Sequence, residues 1–289
     1  MTTFDDMFQR IERGIREVYQ SDQYRKYLQV MSRFTNYSLN NCILIFQQKP
    51  DAQLVAGYQA WKTKFKRNVK RGEKGIRILA PIRKPVKKQE DDEEPEEEVV
   101  RFRKVCVFDL SQTEGEPLPS FMIDHIEGSV DDYEDFLEQL ELLAPVPVRF
   151  SYLENNVHGY YSNAEKEIVL NADMTQLQTV KTLIHEIAHS YLHDTPEAMT
   201  ELSRARKEIE AESVAYILCR HYGLDTGEYS FRYLAGYSSS QELPELKASM
   251  ERIHLASNRL IRGLEELRHP QEADLLPPAD GGFVGPYLL

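Results

Sequence analysis

His185-Glu186-Ile187-Ala188-His189 lies in a stretch whose apolar residues recur at helical spacing, and it constrains the fold more than any other segment. At i and i+4 the two imidazoles share one helical face, a turn apart, close enough to grip a single ion. A second helical stretch, Glu208-Ile209-Glu210-Ala211-Glu212-Ser213-Val214-Ala215-Tyr216, carries carboxylates at 208 and 212 on one face. The surface around them is small and apolar, where an unpartnered charge is expensive to bury. The two stretches are therefore expected to pack together, so that an acid from one completes a His, His, Glu site on the other. Zinc suits such donors and keeps an open position for water when only three protein ligands are present. Glu186, next to the first histidine, is placed to take a proton from that water. Glu210 reads as a solvent-exposed acid. His193 reads as packing or as a support for the ligands, because a straight helix cannot aim three successive turns at one ion.

Charge divides the chain. The formal net charge is −12, yet residues 1–88 hold 19 Lys and Arg against 7 Asp and Glu. Between Lys62 and Lys88 stand 12 basic residues and one acid, Glu73. Residues 89–98 then hold eight acids and no base. Such asymmetry suggests that one end meets a polyanion while the rest does not. Tyr37, Tyr58, Trp61 and Phe65 are interleaved with Lys62, Lys64, Lys66, Arg67, Lys70, Arg71 and Lys74. Cations combined with aromatic faces are what single strands bind; Trp61 and Phe65 read equally well as core. The longest uninterrupted aliphatic or aromatic run, Cys42 to Phe46, is far short of the roughly 20 residues of a membrane span. The three cysteines lack disulfide or metal spacing, and the expectation is a cytoplasmic protein without a membrane partner.

Periodicity predicts helices from Phe4 to about Val18, from Asp22 to about Phe34, from Ser38 to about Gln47 and from Tyr58 to Phe65. Strands are expected at Ile76–Ala80 and Val99–Phe108, with residues 83–98 as a flexible charged hairpin loop. Past a boundary near Glu114–Pro119 come a helix at 131–143 and short strands at 148–152, 158–162 and 167–170. Long helices at about 175–193, 204–222 and 244–267 follow, and 270–289 reads as a disordered tail. The fold class is α+β, divided as 1–119 and 120–269.

Two resemblances follow from these blocks. HEIAHSYLHD followed by EIEAESVAYIL resembles the ImmA/IrrE group of gluzincin-like HExxH zinc metallopeptidases. That resemblance implies a small antiparallel sheet beside the active-site helices and an edge strand at 167–170 pairing with substrate. It also implies His185, His189 and Glu208 as metal ligands, Glu186 as catalytic base and Glu212 as the partner of a ligand histidine. Asn36-Tyr37-Ser38-Leu39-Asn40-Asn41, Gly57-Tyr58-Gln59-Ala60-Trp61, Val69 to Ile76, and Val107-Phe108-Asp109 through Gly115 are similar to the N-terminal domain of ArdC-type antirestriction proteins. This implies single-stranded DNA as partner, with contacts from Tyr37, Asn40, Tyr58, Trp61, Lys62, Lys66, Arg67, Lys70, Arg71 and Lys74. The leading expectation is a DNA-tethered zinc metallopeptidase of mobile-element antirestriction type. The alternatives are a regulatory peptidase that cleaves a DNA-bound repressor, and a non-catalytic protein that shields single-stranded DNA and holds zinc structurally.

Overall fold

The computed structural model describes residues 4–19, 21–82, 101–118, 133–154, 157–224, 231 and 242–268. The expected charged loop at 83–98, the tail at 270–289 and the side chain of Asp22 lie outside these residues. The fold is mixed α+β, with a helix-and-sheet N-terminal region and a helix-rich C-terminal region.

Three helices open the chain: α1 (Phe4–Val18), α2 (Ser21–Arg33) and α3 (Leu39–Gln48). Ser38 caps α3, its hydroxyl accepting the Asn41 N–H. Gly14 lets α1 cross α3 closely, since a Cβ there would stand 2.6 Å from Ile43 Cγ2. Strands β1 (Val55–Gly57), β3 (Ile76–Ile82) and β4 (Arg101–Asp109) form an antiparallel sheet in the order β1-β4-β3. Helix α4 (Tyr58–Thr63) leads into a ribbon of β2 (Arg67–Val69) and β5 (Thr113–Gly115), two short strands that hydrophobic alternation does not reveal.

The free edge of β3 is covered by amide side chains of α3. Asn41 Oδ1 accepts the Leu79 N–H at 2.9 Å, and its Nδ2 donates to Leu79 O at 2.8 Å. One β-residue pair further on, Gln48 repeats the pattern on Arg77, accepting its N–H at 3.0 Å and donating to its carbonyl at 2.9 Å. Both amides thus complete backbone bonding that an edge strand would otherwise expose. Asn41 is 3 % exposed. Asn41→Leu should therefore lower the unfolding free energy by about 2–4 kcal/mol, because two buried backbone groups lose their partners. Urea denaturation measures this, and a loss below about 1 kcal/mol would show that the edge finds other partners.

The C-terminal region contains α5 (Tyr133–Leu143), β6 (Val148–Ser151), β7 (Gly159–Ser162) and β8 (Glu167–Asn171). Helices α6 (Gln176–Leu192), α7 (Pro196–Glu201), α8 (Arg204–His221) and α9 (Leu243–Arg268) complete it. The sheet order is β6-β8-β7, with β6 parallel and β7 antiparallel to β8. Two expectations are corrected here: the sheet is mixed rather than antiparallel, and 167–170 is its central strand. Ile168, Val169 and Leu170 are fully buried, as a strand covered on both faces requires, and the edges belong to β6 and β7.

One apolar cluster runs from Met7 and Ile43 through Leu183 and Val214 to Leu264, so the buried side chains of both halves are continuous. Polar contacts cross with it. Tyr24 Oη lies 2.7 Å from Ser213 Oγ, and His221 Nδ1 donates to Ser32 O at 2.7 Å. A smaller cluster forms around Trp61, Phe65, Ala56, Ala60 and Leu118. Among the described residues, no helix is long and apolar enough to cross a membrane.

Candidate functional site

Helix α6 begins at Thr175, whose hydroxyl accepts the Gln178 N–H, and α8 begins at Ser203, which caps through Arg206 N. The helices pack along each other with Ala188, Ala211 and Ala215 fully buried, small residues that permit close approach. Edge strand β7 lies on the other flank of α6. A Cβ on Gly159 would stand 2.8 Å from Thr182 Cγ2, so glycine is what lets β7 come this near.

His185 Nε2 and His189 Nε2 are 3.0 Å apart, and Glu208 Oε2 stands 3.6 Å from the first and 3.9 Å from the second. A divalent ion bonded at about 2.1 Å to each donor would need them roughly 3.0–3.4 Å apart, so modest closure of the trio suffices. Among the described residues this trio forms a group able to hold a metal ion, with ligand atoms within 4.8 Å of one another.

Electrostatics favour the same use. Burial, together with His185 and His193, pushes the His189 pKa down to about 3, so the ring is neutral and its lone pair free for an ion. His185 moves the other way: burial opposes its charge, but the hydrogen bond to Glu208 and the surrounding carboxylates raise its pKa. The same hydrogen bond lowers that of Glu208. Glu212 Oε2 lies 3.5 Å from His185 Nδ1, on the side of the ring away from Glu208, and burial raises its pKa.

Glu186 is 7 % exposed, and its Oε2 accepts the Tyr161 N–H of β7 at 2.8 Å. Its carboxylate thus ties α6 to the edge strand, while burial raises its pKa.

The sequence reading misplaced Glu210. It is fully buried rather than solvent-exposed. Its carboxylate lies 3.2 Å from His193 Nε2, and accepts Arg206 Nε at 3.0 Å, Ser249 Oγ at 2.7 Å and Arg252 Nε at 3.0 Å, with a second bond from the Arg252 guanidinium. His193 Nδ1 in turn lies 2.9 Å from His189 Nδ1. A polar line therefore runs from α9 through Glu210 and His193 to a member of the trio. The signal available in the sequence was Arg206 at i−4; the partners on α9 are supplied only by folding.

The basic surface sorts differently. Tyr58 is 53 % exposed, and Lys62, Lys66, Lys70, Arg71 and Lys74 are exposed. Lys70 Nζ donates to Ser111 O at 2.9 Å, and Lys66 Nζ is 3.7 Å from Glu116. Asn40 is half-buried in the first turn of α3. One expected DNA contact is corrected, and two others are half-buried and bonded within the fold. Trp61 is 0 % exposed and its Nε1 donates to Phe108 O at 2.8 Å, so it cannot stack on a base. Arg67 spends its guanidinium on the ribbon, donating to Thr113 Oγ1 at 2.8 Å, to Thr113 O at 3.2 Å and to Glu116 O. Tyr37 packs edge-on against Phe34 and donates its hydroxyl to Val55 O at 3.3 Å.

Comparison with known proteins gives this geometry a context. Residues 2–108 match the N-terminal domain of anti-restriction factor ArdC, and residues 146–222 match the IrrE N-terminal-like domain. The chain therefore carries an ArdC-like domain followed by an IrrE-like one. It is 27 % identical over 280 residues to uncharacterized protein pXO2-81 of Bacillus anthracis, covering 82 % of this chain and 46 % of the relative. The chain thus spans about half the length of that curated relative. In fold it is similar to the metal-free antirestriction ArdC protein from the R388 plasmid, with a TM-score of 0.50 and 17 % identity over 80 % of this chain and 86 % of that one. The Mn(II)-bound structure of the same protein matches with a TM-score of 0.47 and 16 % identity over 81 % of this chain and 86 % of that one.

Two expectations are overturned. The hydrolase reading gives way to a coarser one: the chain matches an ArdC N-terminal domain and an IrrE N-terminal-like domain, and the site is a metal-binding trio. Zinc as the specific ion gives way to a divalent-metal site, because two imidazoles with one carboxylate accept several first-row divalent ions.

Proposed function

We propose that a chain joining an ArdC-type domain to an IrrE-type domain works as a non-catalytic, single-stranded-DNA-binding protein of antirestriction type, with a divalent ion held in its C-terminal half. The observation that carries this reading is the ArdC match over residues 2–108, the same segment that concentrates positive charge and exposes Tyr58, Lys62, Lys66, Arg71 and Lys74. Cations attract the phosphate backbone and an exposed ring offers a face to a base.

In this reading residues 1–119 form the DNA-binding unit and 120–269 the metal-holding unit. The latter keeps a gluzincin-like meeting of two helices, with His185, His189 and Glu208 holding the ion and Glu212 steadying the His185 ring. When bound, the ion supplies a bond between α6 and α8, and its binding free energy adds to that of folding. Glu186 has a positioning part, anchoring β7 to α6 through Tyr161 N–H.

The test is oligothymidylate binding by fluorescence anisotropy, together with protection of that strand from a single-strand nuclease. Wild-type protein should bind with a salt slope of roughly −0.7 per phosphate neutralised. Glu186→Gln should bind and protect like the wild type, because shielding needs no proton transfer. Absence of binding at low salt, or protection lost in Glu186→Gln while affinity is unchanged, would refute the reading.

A further inference from the structure

Resting on that reading, we propose that the phosphate backbone of the single strand runs through an open cleft of about 850 Å³ between the start of β3, α3 and α1. Its walls carry five cationic side chains from four separate parts of the chain. Arg10 comes from α1, Lys49 from the end of α3, Arg71 and Lys74 from the turn before β3, and Arg77 from β3. Two of them, Arg10 and Lys49, lie outside the basic run that the sequence marks, and only folding gathers them with the rest. The cleft's one acid, Glu73, accepts a hydrogen bond from Gln112 Nε2 at 2.8 Å. Lys49 is paired with exposed Asp51 at 3.1 Å, an ion pair that a phosphate would replace at little cost.

The neighbourhood of the cleft favours a single strand over a duplex. Gly75 and Cys106 line it, and a Cβ on Gly75 would stand 3.1 Å from Cys106 Cβ and 3.2 Å from the Phe108 ring. Phe108 follows Cys106 by two residues on β4, so it shares that face of the sheet. Tyr58 packs edge-on against Phe108, ring centroids 6.3 Å apart, and is itself 53 % exposed. A cationic cleft therefore leads to an exposed aromatic face, the combination that holds phosphates while unstacked bases find a ring. A duplex keeps its bases stacked inside and has no use for that face.

The chain carries its own reporter. Cys106 is exposed, whereas Cys42 and Cys219 are buried. Saturating oligothymidylate should slow alkylation of Cys106 by N-ethylmaleimide at least roughly tenfold, and duplex DNA of the same length at the same concentration should slow it far less. Arg10→Glu with Arg77→Glu should weaken oligothymidylate binding at least roughly tenfold and flatten its salt slope, while Lys247→Glu, on the exposed face of α9, should leave binding unchanged. Circular dichroism confirms that each variant is folded. If the oligonucleotide binds yet Cys106 reacts at its free rate, or the Arg10 and Arg77 variant keeps the wild-type slope, the cleft is refuted while DNA binding stands. If duplex protects equally, the single-strand assignment of the cleft fails. If nothing binds the wild type, both the cleft and the reading it rests on fall.

Discussion

Glu210→Leu should lower the unfolding free energy by about 3–5 kcal/mol at neutral pH, the cost of removing one partner from a buried ionic cluster. Glu210 is fully buried and meets His193, Arg206, Ser249 and Arg252, so its loss leaves two guanidinium groups and an imidazole facing an apolar side chain. Burial alone would raise its pKa, but hydrogen bonds from His193, Arg252 and Ser249 outweigh it and hold the carboxyl at about 2. A carboxyl held below its unfolded value stabilises the native state above that value. The contribution is therefore complete above about pH 4.5 and disappears as pH falls toward about 2. At about 1.4 kcal/mol per pKa unit, roughly 3 kcal/mol is at stake. Urea midpoints across this range should fall steeply in the wild type and more shallowly in Glu210→Leu. Because Glu210 also holds His193 against His189, divalent-ion affinity should drop roughly 10–100-fold. A variant within about 1 kcal/mol of the wild type would show that the cluster is dispensable.

His185→Ala and Glu208→Ala should each weaken Mn(II) binding by more than about a hundredfold, since each removes one of three donors gathered within 4.8 Å. The linked effect is on stability. With free Mn(II) at about a hundred times its dissociation constant, wild-type protein gains about 2.7 kcal/mol, and the variants should gain almost nothing. Glu212→Gln separates the two acids of α8. Its carboxylate faces the other nitrogen of His185, so the loss should stay near tenfold. Isothermal titration with Mn(II) and thermal melts with and without the ion provide both readouts. Wild-type affinity in Glu208→Ala would remove Glu208 from the site, and a larger loss in Glu212→Gln would exchange their parts.

Much of the fold was legible because it follows from local rules. The stripe through Met7, Ile11, Ile15 and Val18, the cap at Ser38, and the long helices containing His185 and Glu208 are properties of short windows. Strands β1, β2 and β5 were not legible, since each is three residues long and exists only through its partner. The short run at 167–170 announced a strand, but its place between β6 and β7 depends on neighbours far along the chain.

The residues near the trio divide in the same way. The i, i+4 spacing of His185 and His189 fixes a shared face through helix geometry alone, and the resemblance to ArdC and IrrE domains rests on residues in series. Which acids are buried, which cations are already bonded and which aromatics are core depend on contacts between distant segments. Glu210 is solvated in any isolated helix, and only α9, bringing Ser249 and Arg252, makes its burial affordable. Trp61 and Tyr58 stand three residues apart on one helix, yet the Phe108 carbonyl and the cluster around Leu118 bury the first and leave the second at the surface. The sequence by itself determined the helices, the histidine pair and the charge asymmetry, because periodicity and net charge are short-range or additive. The tertiary structure decided the partners, because desolvation depends on what the rest of the chain packs against each group.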